Sequence, residues 1–268
     1  IEGMIKKDET FDKIVINESY DYNKKIFDIN GEFDLTNSKI EISNLNFVKN
    51  TGIKSRLILN IKFVLNKYYN INNLDFTSGD DLINFSKVRL NKDFEVKNFK
   101  NLKIKTFKNN LKNNDFLVEK EKNIKISGDI FDAEPLLKSL YDQNDTNTFS
   151  KNFNSEVKIN FEKVITGTND DISSFALIAS INKRKYTKLN LKGNFSDNEI
   201  VEMSIYQIDD NNRTLHVISD RARPFMKNFD FIKGFNGGKL EYESVLSKNE
   251  TSSNLLLSDF KVSKIPAL

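Results

Sequence analysis

Between Arg56 and Leu65 the chain keeps a strict period of two: Leu57, Leu59, Ile61, Phe63 and Leu65 fall in step, with Ile58, Asn60, Lys62 and Val64 between them. Successive side chains of an extended strand point to opposite faces, whereas a helical face needs apolar residues every three to four positions. Ten residues of alternation therefore predict a strand with one apolar face. Shorter alternations recur at Ile40/Ile42, Leu102/Ile104, Ile124/Ile126, Ile159/Phe161, Leu189/Leu191, Val201/Met203/Ile205, Leu215/Val217, Leu240/Tyr242 and Leu255/Leu257. Most of the chain reads as β.

Turn chemistry separates these runs at Ser78-Gly79-Asp80-Asp81, Gly167 to Asp171, Ser196-Asp197-Asn198 and Asp209 to Asn212. Asp and Asn hydrogen-bond their own backbone and tolerate left-handed φ, so such clusters join neighbouring strands. A spacing of strand and short turn, without helical patterns in between, predicts antiparallel strands in meander order rather than βαβ units. The hydrophobic fraction of 38% is low for a thick globule, yet aromatics reach 11%, with 22 Phe, which is too much apolar bulk for disorder. Together these predict an all-β fold with two short helices: an elongated, curved antiparallel sheet, gutter-like or groove-like, with one face covered and one wet. Length alone permits one large β domain or two smaller ones.

Helical spacing is confined to two places. The first follows Phe131, with Asp132 as N-cap, Pro135 in the first turn, and Leu136, Leu137, Leu140 and Tyr141 on one face. The second begins between Asp220 and Arg223, with Pro224 early and Phe225, Met226, Phe229 and Ile232 on one face. Gly237-Gly238 is then expected to turn the chain into a strand. This divides the chain into a β segment over 1–130, a helix over 131–143, a β segment over 144–220, a helix over 221–235, and strands over 236–268 that lead to a third helix start. Asp132-Ala133-Glu134-Pro135-Leu136-Leu137-Lys138 aligns with Arg221-Ala222-Arg223-Pro224-Phe225-Met226-Lys227, and Pro266 again follows a strand. The pattern suggests strands punctuated by short helices.

Three stretches resemble the AsmA-like superfamily, in particular its YhdP-type branch of Gram-negative envelope proteins. Ile126 to Leu137 resembles the family's strand leading into a "DA-x-PLL" helix. Residues 221–233 followed by Phe235 to Tyr242 resemble its short helix and "GG-x-L" strand. Leu257 to Leu268 resembles its "DF-x-V-x-x-x-PAL" ending. The bulky Phe225, Phe229 and Phe231 depart from the small residues expected in the second helix. The resemblance implies a fragment of a longer chain, periplasmic and anchored in the inner membrane by a segment absent from this sequence. Phospholipid or another acyl-chain lipid is the implied partner, moving between inner and outer membranes that the longer chain reaches through its other parts. An acyl chain needs only continuous apolar surface, which alternation along successive strands supplies, at roughly 0.8 kcal/mol per buried CH₂. The groove candidates are Leu57, Leu59, Ile61, Phe63, Leu65, Leu189, Leu191, Leu215, Val217, Leu240, Tyr242, Leu255 and Leu257. Two other readings stay open: a scaffold that assists outer-membrane protein assembly without lipid, and a carbohydrate-active β protein.

Reaction chemistry finds few anchors. The chain has no cysteine and one histidine, His216, which alternates outward from Leu215 and Val217. Asp80-Asp81, Asp170-Asp171 and Asp209-Asp210 lie in expected turns, where Asp serves the backbone. Gly234 to Gly238 follows a helix, whereas a phosphate loop precedes one, so it reads as a helix end and turn. No cofactor, no metal and no enzymatic activity are expected. Against 41 Lys+Arg stand 38 Asp+Glu, and even the Lys97 to Lys125 stretch is diluted by Asn and acids, so no nucleic-acid partner is expected either.

Overall fold

A computed structural model describes residues 2–7, 10–139, 154–182, 185–196, 198–209, 212–226, 235–247 and 250–262. The chain forms two compact units, Ile1–Lys122 and Asn123–Leu268, each built on β-sheet.

The first unit contains β1 (Glu2–Lys7), β2 (Thr10–Asp21), β3 (Ile26–Asp34), β4 (Ile40–Ile42), β5 (Phe47–Lys49), β6 (Ser55–Val64), β7 (Tyr68–Ser78), β8 (Asp81–Asn91), β9 (Val96–Asn98), β10 (Asn101–Lys108) and β11 (Leu111–Lys120). Strands β1, β2, β3, β6, β7, β8, β10 and β11 pair in that order, all antiparallel, with β9 added briefly to the end of β8. Between β3 and β6 the chain leaves the sheet to form the small β4–β5 hairpin, closed by a 3-10 turn at Ser43–Leu45.

The period-two run falls on β6, and its neighbours match it in register. Ile14, Phe33, Leu57, Phe76, Ile83, Ile104 and Phe116 lie opposite one another across seven strands. A parallel rung holds Ile16, Gly31, Leu59, Leu74, Phe85, Leu102 and Val118. One bulge and one left-handed residue preserve this match. Asn72 is an extra residue in β7, and Lys87 at φ 52° breaks the pleat of β8, so Ile71 and Leu74, like Phe85 and Val88, share a face although three residues apart. Gly31 is required for packing, because a Cβ there would stand 2.7 Å from the Phe33 ring. The opposite face is polar. Asn60 donates to Asn30 at 2.5 Å and accepts from Asn72 at 2.5 Å, Arg56 pairs with Glu32 at 2.8 Å, and Lys62 with Asp28 at 2.9 Å.

The second unit contains β12 (Ile124–Asp132), α1 (Glu134–Ser139), β13 (Ser155–Ile165), β14 (Ile172–Asn182), β15 (Lys185–Ser196), β16 (Glu199–Gln207), β17 (Arg213–Ser219), α2 (Arg223–Met226), β18 (Phe235–Leu246) and β19 (Thr251–Val262). The expectation of a purely antiparallel sheet is corrected here, since β12 and β13 run parallel. Parallel neighbours require a crossover, and the connection that begins with α1 supplies it. From β13 to β19 the strands form an antiparallel meander.

The two proline motifs fold alike. Ala133 and Ala222 are buried, and their N–H groups donate to Ile165 O at 2.9 Å and Gly238 O at 2.7 Å, so each still bonds to the neighbouring strand as the helix begins. One residue on, Glu134 and Arg223 open the helices, with Pro135 and Pro224 in the first turn, where a missing N–H costs nothing. Asp132 Oδ1 accepts the N–H of Glu134 at 3.1 Å. Gly237 and Gly238 do not form a turn before the strand. They sit inside β18 at φ 69° and 87°, across from Asp259 at φ 55°, and the register with β19 runs unbroken past them, beside the carbonyl that Ala222 uses. Pro266 and Gly234 lie outside the described residues.

Candidate functional site

In each unit the candidate site is the apolar sheet face. In the first, Leu57, Leu59, Ile61 and Phe63 are half-buried and in register with the apolar residues of β3 and β7. Leu65 is corrected: β6 ends at Val64, and Leu65 is 61% exposed in the β6–β7 turn. The pleat no longer directs a side chain once the strand has ended.

The two ends of this face differ in character. At the end marked by Ser55, Ser78, Thr106 and Asn114 it becomes polar, yet all four residues are buried. The β4–β5 hairpin covers them. Phe47, 1% exposed, packs edge-to-face on Phe76 at 6.1 Å, and Asn114 donates its amide to Leu45 O at 2.8 Å. Lys49 is equally buried, its ammonium donating to Leu35 O at 2.5 Å, Thr36 O at 2.8 Å and Ser38 O at 2.7 Å. Burial pushes the Lys49 amine below its ordinary range, opposed by Asp12 and Asp34. Asp12 fixes the same loop by accepting the N–H of Asn37 at 2.9 Å and the hydroxyl of Ser38.

At the other end runs a row of rings. Tyr20 and Phe27 approach to 4.5 Å, Phe27 and Phe63 stack at 5.0 Å, Phe63 and Tyr69 at 5.4 Å, and Tyr69 and Phe94 at 4.6 Å. The face is thus plugged at one end and aromatic at the other. Neither feature was legible beforehand. Phe47 stands in too short a run to show a period, and the row assembles rings far apart in sequence.

In the second unit one rung joins Ile126, Ile159, Leu177, Leu191, Met203, Val217, Tyr242 and Leu255 across eight strands. Leu189 and Leu215 lie on the adjacent rung with Ala179 and Ile205, and Leu240 pairs with Leu257 on the next. All eight groove candidates of this unit therefore share a face. Ala179, Leu189 and Ile205 are buried, with Leu177, Leu191, Met203 and Leu215 packed around them.

Helix α2 covers part of this face. Ala222 and Met226 are buried with Val217 and Leu240, and Phe225, Tyr242 and Leu257 pack against them. Phe225 and Met226 are thus internal packing residues, while Phe229 and Ile232 lie outside the described residues. In α1, Leu137 is half-buried and Leu136 is 54% exposed, so the expected apolar face is corrected at Leu136. Leu140 and Tyr141 lie outside the described residues.

Acidic residues of the turns have partners within the fold. Arg221 reaches Asp170 at 2.6 Å and Glu199 at 2.5 Å, which raises the guanidinium further and lowers the Glu199 carboxyl through its hydrogen bonds to Arg221 and Ser196. Asp171 pairs with Lys163 at 2.9 Å, and Asp209 Oδ1 accepts the N–H of Asn212 at 2.9 Å. Asp81 accepts the N–H of Phe107 at 2.8 Å, and burial pushes its carboxyl up. Asp210 lies outside the described residues. His216 lies on the face opposite the groove candidates, in register with Ser204 and Glu243 and 3.6 Å from Glu241. Among the described residues no group of three or more His, Asp or Glu could hold a metal ion, and no helix is long and apolar enough to cross a membrane.

Compared with known proteins, the chain matches no family model, no curated protein and no solved structure.

Proposed function

We propose that the apolar sheet face of each unit holds the acyl chains of phospholipid, and that the chain is a periplasmic segment of an AsmA-like envelope protein of the YhdP type. In this reading it carries lipid between inner and outer membrane without making or breaking a bond. A longer chain would supply the inner-membrane anchor. The observation that supports it is the register: apolar residues face one another across seven strands in one unit and eight in the other. A rung of this kind gives an acyl chain continuous contact with few polar groups in its path. Binding would then be tight in sum and tolerant of headgroup and chain length.

Lipid extraction of the purified protein followed by mass spectrometry tests the reading. Phospholipid recovered in stoichiometric amount is expected. Recovery of none, together with failure to take up a fluorescent fatty acid, would refute it and leave the scaffold reading.

A further inference from the structure

The aromatic end of the first unit carries more than stacked rings. Three turns of the sheet lie along this rim, β2–β3, β6–β7 and β8–β9, and each lifts one large apolar residue out of the fold. Tyr22 is 83% exposed, Leu65 61% and Phe94 64%. With neighbouring strands about 4.8 Å apart, the three turns cover roughly 19 Å of one edge.

Each tip is flanked by lysine. Lys24 and Lys25 follow Tyr22, Lys67 follows Leu65, and Lys92 and Lys97 bracket Phe94. Three carboxylates share these turns, and two are engaged there: Asp21 accepts the N–H groups of Asn23 and Lys24, both at 3.0 Å, and Glu95 pairs with Lys97 at 2.8 Å. Asp93 is the third.

Phe94 is the most telling tip. Its φ is 60°, a left-handed conformation that a bulky side chain takes at a cost and that Gly or Asn takes readily. The turn is held regardless: Asn91 Oδ1 accepts the N–H groups of Asp93 and Glu95 at 3.1 and 2.9 Å, and Phe94 N–H donates to Asn91 O at 3.1 Å. The result is an aromatic ring stacked on Tyr69 with most of its surface in water.

We propose that this rim docks on the surface of an anionic phospholipid bilayer, Tyr22, Leu65 and Phe94 entering the headgroup boundary while Lys25, Lys67 and Lys92 meet lipid phosphate. Amphipathic rings and flanking lysines are the combination that interfacial elements use. Each lysine near an anionic surface attracts it, and each tip removed from water adds apolar transfer. The rim needs no acyl chain on the sheet face, so it stands or falls separately from the lipid-carrying reading.

Flotation with vesicles of equimolar phosphatidylglycerol and phosphatidylcholine tests it, with phosphatidylcholine vesicles as comparison. Wild-type protein should float with the anionic vesicles, and less so as salt rises. The Tyr22→Ser/Leu65→Ser/Phe94→Asn variant should bind them roughly tenfold or more weakly, with its circular dichroism unchanged, since Asn suits the backbone at 94. Leu111→Ser, altering an equally exposed apolar residue (74%) at the start of β11, should bind as wild type. Absence of binding by the wild type, or binding that needs the lysines but not the three tips, would overturn the proposal.

Discussion

Placing a carboxylate at Ile61 tests the apolar face directly. Ile61 is half-buried, lies between Ile29 on β3 and Ile71 on β7, and continues through Val88 on β8. An ionised Asp there keeps its hydration shell, so an acyl chain crossing the rung loses contact with two or three methylenes. At about 0.8 kcal/mol each this is about 2 kcal/mol, a weakening of roughly thirtyfold. Asn60→Asp is the matched control: the same charge, one residue away, on the face where Asn60 meets Asn30 and Asn72. Displacement of a fluorescent fatty acid gives the affinities, and urea denaturation confirms that both variants are folded. Equal affinity of Ile61→Asp and wild type, or equal losses in the two variants, would show that this face does not carry the lipid.

Phe47→Ala should destabilise the first unit by about 3–5 kcal/mol, because a fully buried ring that holds the β4–β5 hairpin on Phe76 is deleted; a loss below about 1 kcal/mol by urea denaturation would show that the hairpin is dispensable. A Cβ at Gly193 would stand 2.3 Å from Ile172 Cγ2, so Gly193→Ala should cost about 1–3 kcal/mol. Ile172→Ala in the same chain should recover part of that cost, read as a positive coupling in a double-mutant cycle. Asp81→Asn should raise the thermal midpoint at neutral pH. The folded carboxyl titrates above its free value of 3.8 because burial disfavours its charge, so that burden is present above the folded pKa and vanishes as pH falls below the free one. The gain should therefore disappear by about pH 3, and a gain that grew in acid would contradict this account.

Much of the strand layout could be read locally because pleating ties side-chain direction to sequence parity. Leu57 to Phe63, Leu189/Leu191 and Leu255/Leu257 each had to present one apolar face, and Asp- and Asn-rich turns had to join the strands. The alanine and proline motifs at Ala133-Glu134-Pro135 and Ala222-Arg223-Pro224 announced the helices for equally local reasons. Parity stops informing where a strand stops, and Leu65, one residue past the end of β6, leaves the face that its parity predicts.

What depended on residues distant in sequence came only from the tertiary structure. Register between strands decided that the apolar faces coincide, with the bulge at Asn72 and the left-handed backbone at Lys87 correcting parity in ways no single strand reveals. The parallel pairing of β12 with β13 depends on where the chain returns after α1, and the three carbonyls that hold the buried Lys49 come from the loop that Asp12 also fixes. The sequence by itself determined that the chain forms strands with one apolar side, because alternation is a property of neighbouring residues. Which strands stand side by side, which end of a face is plugged, and where Tyr22, Leu65 and Phe94 emerge together were decided by packing, because these relations exist only once the strands are assembled.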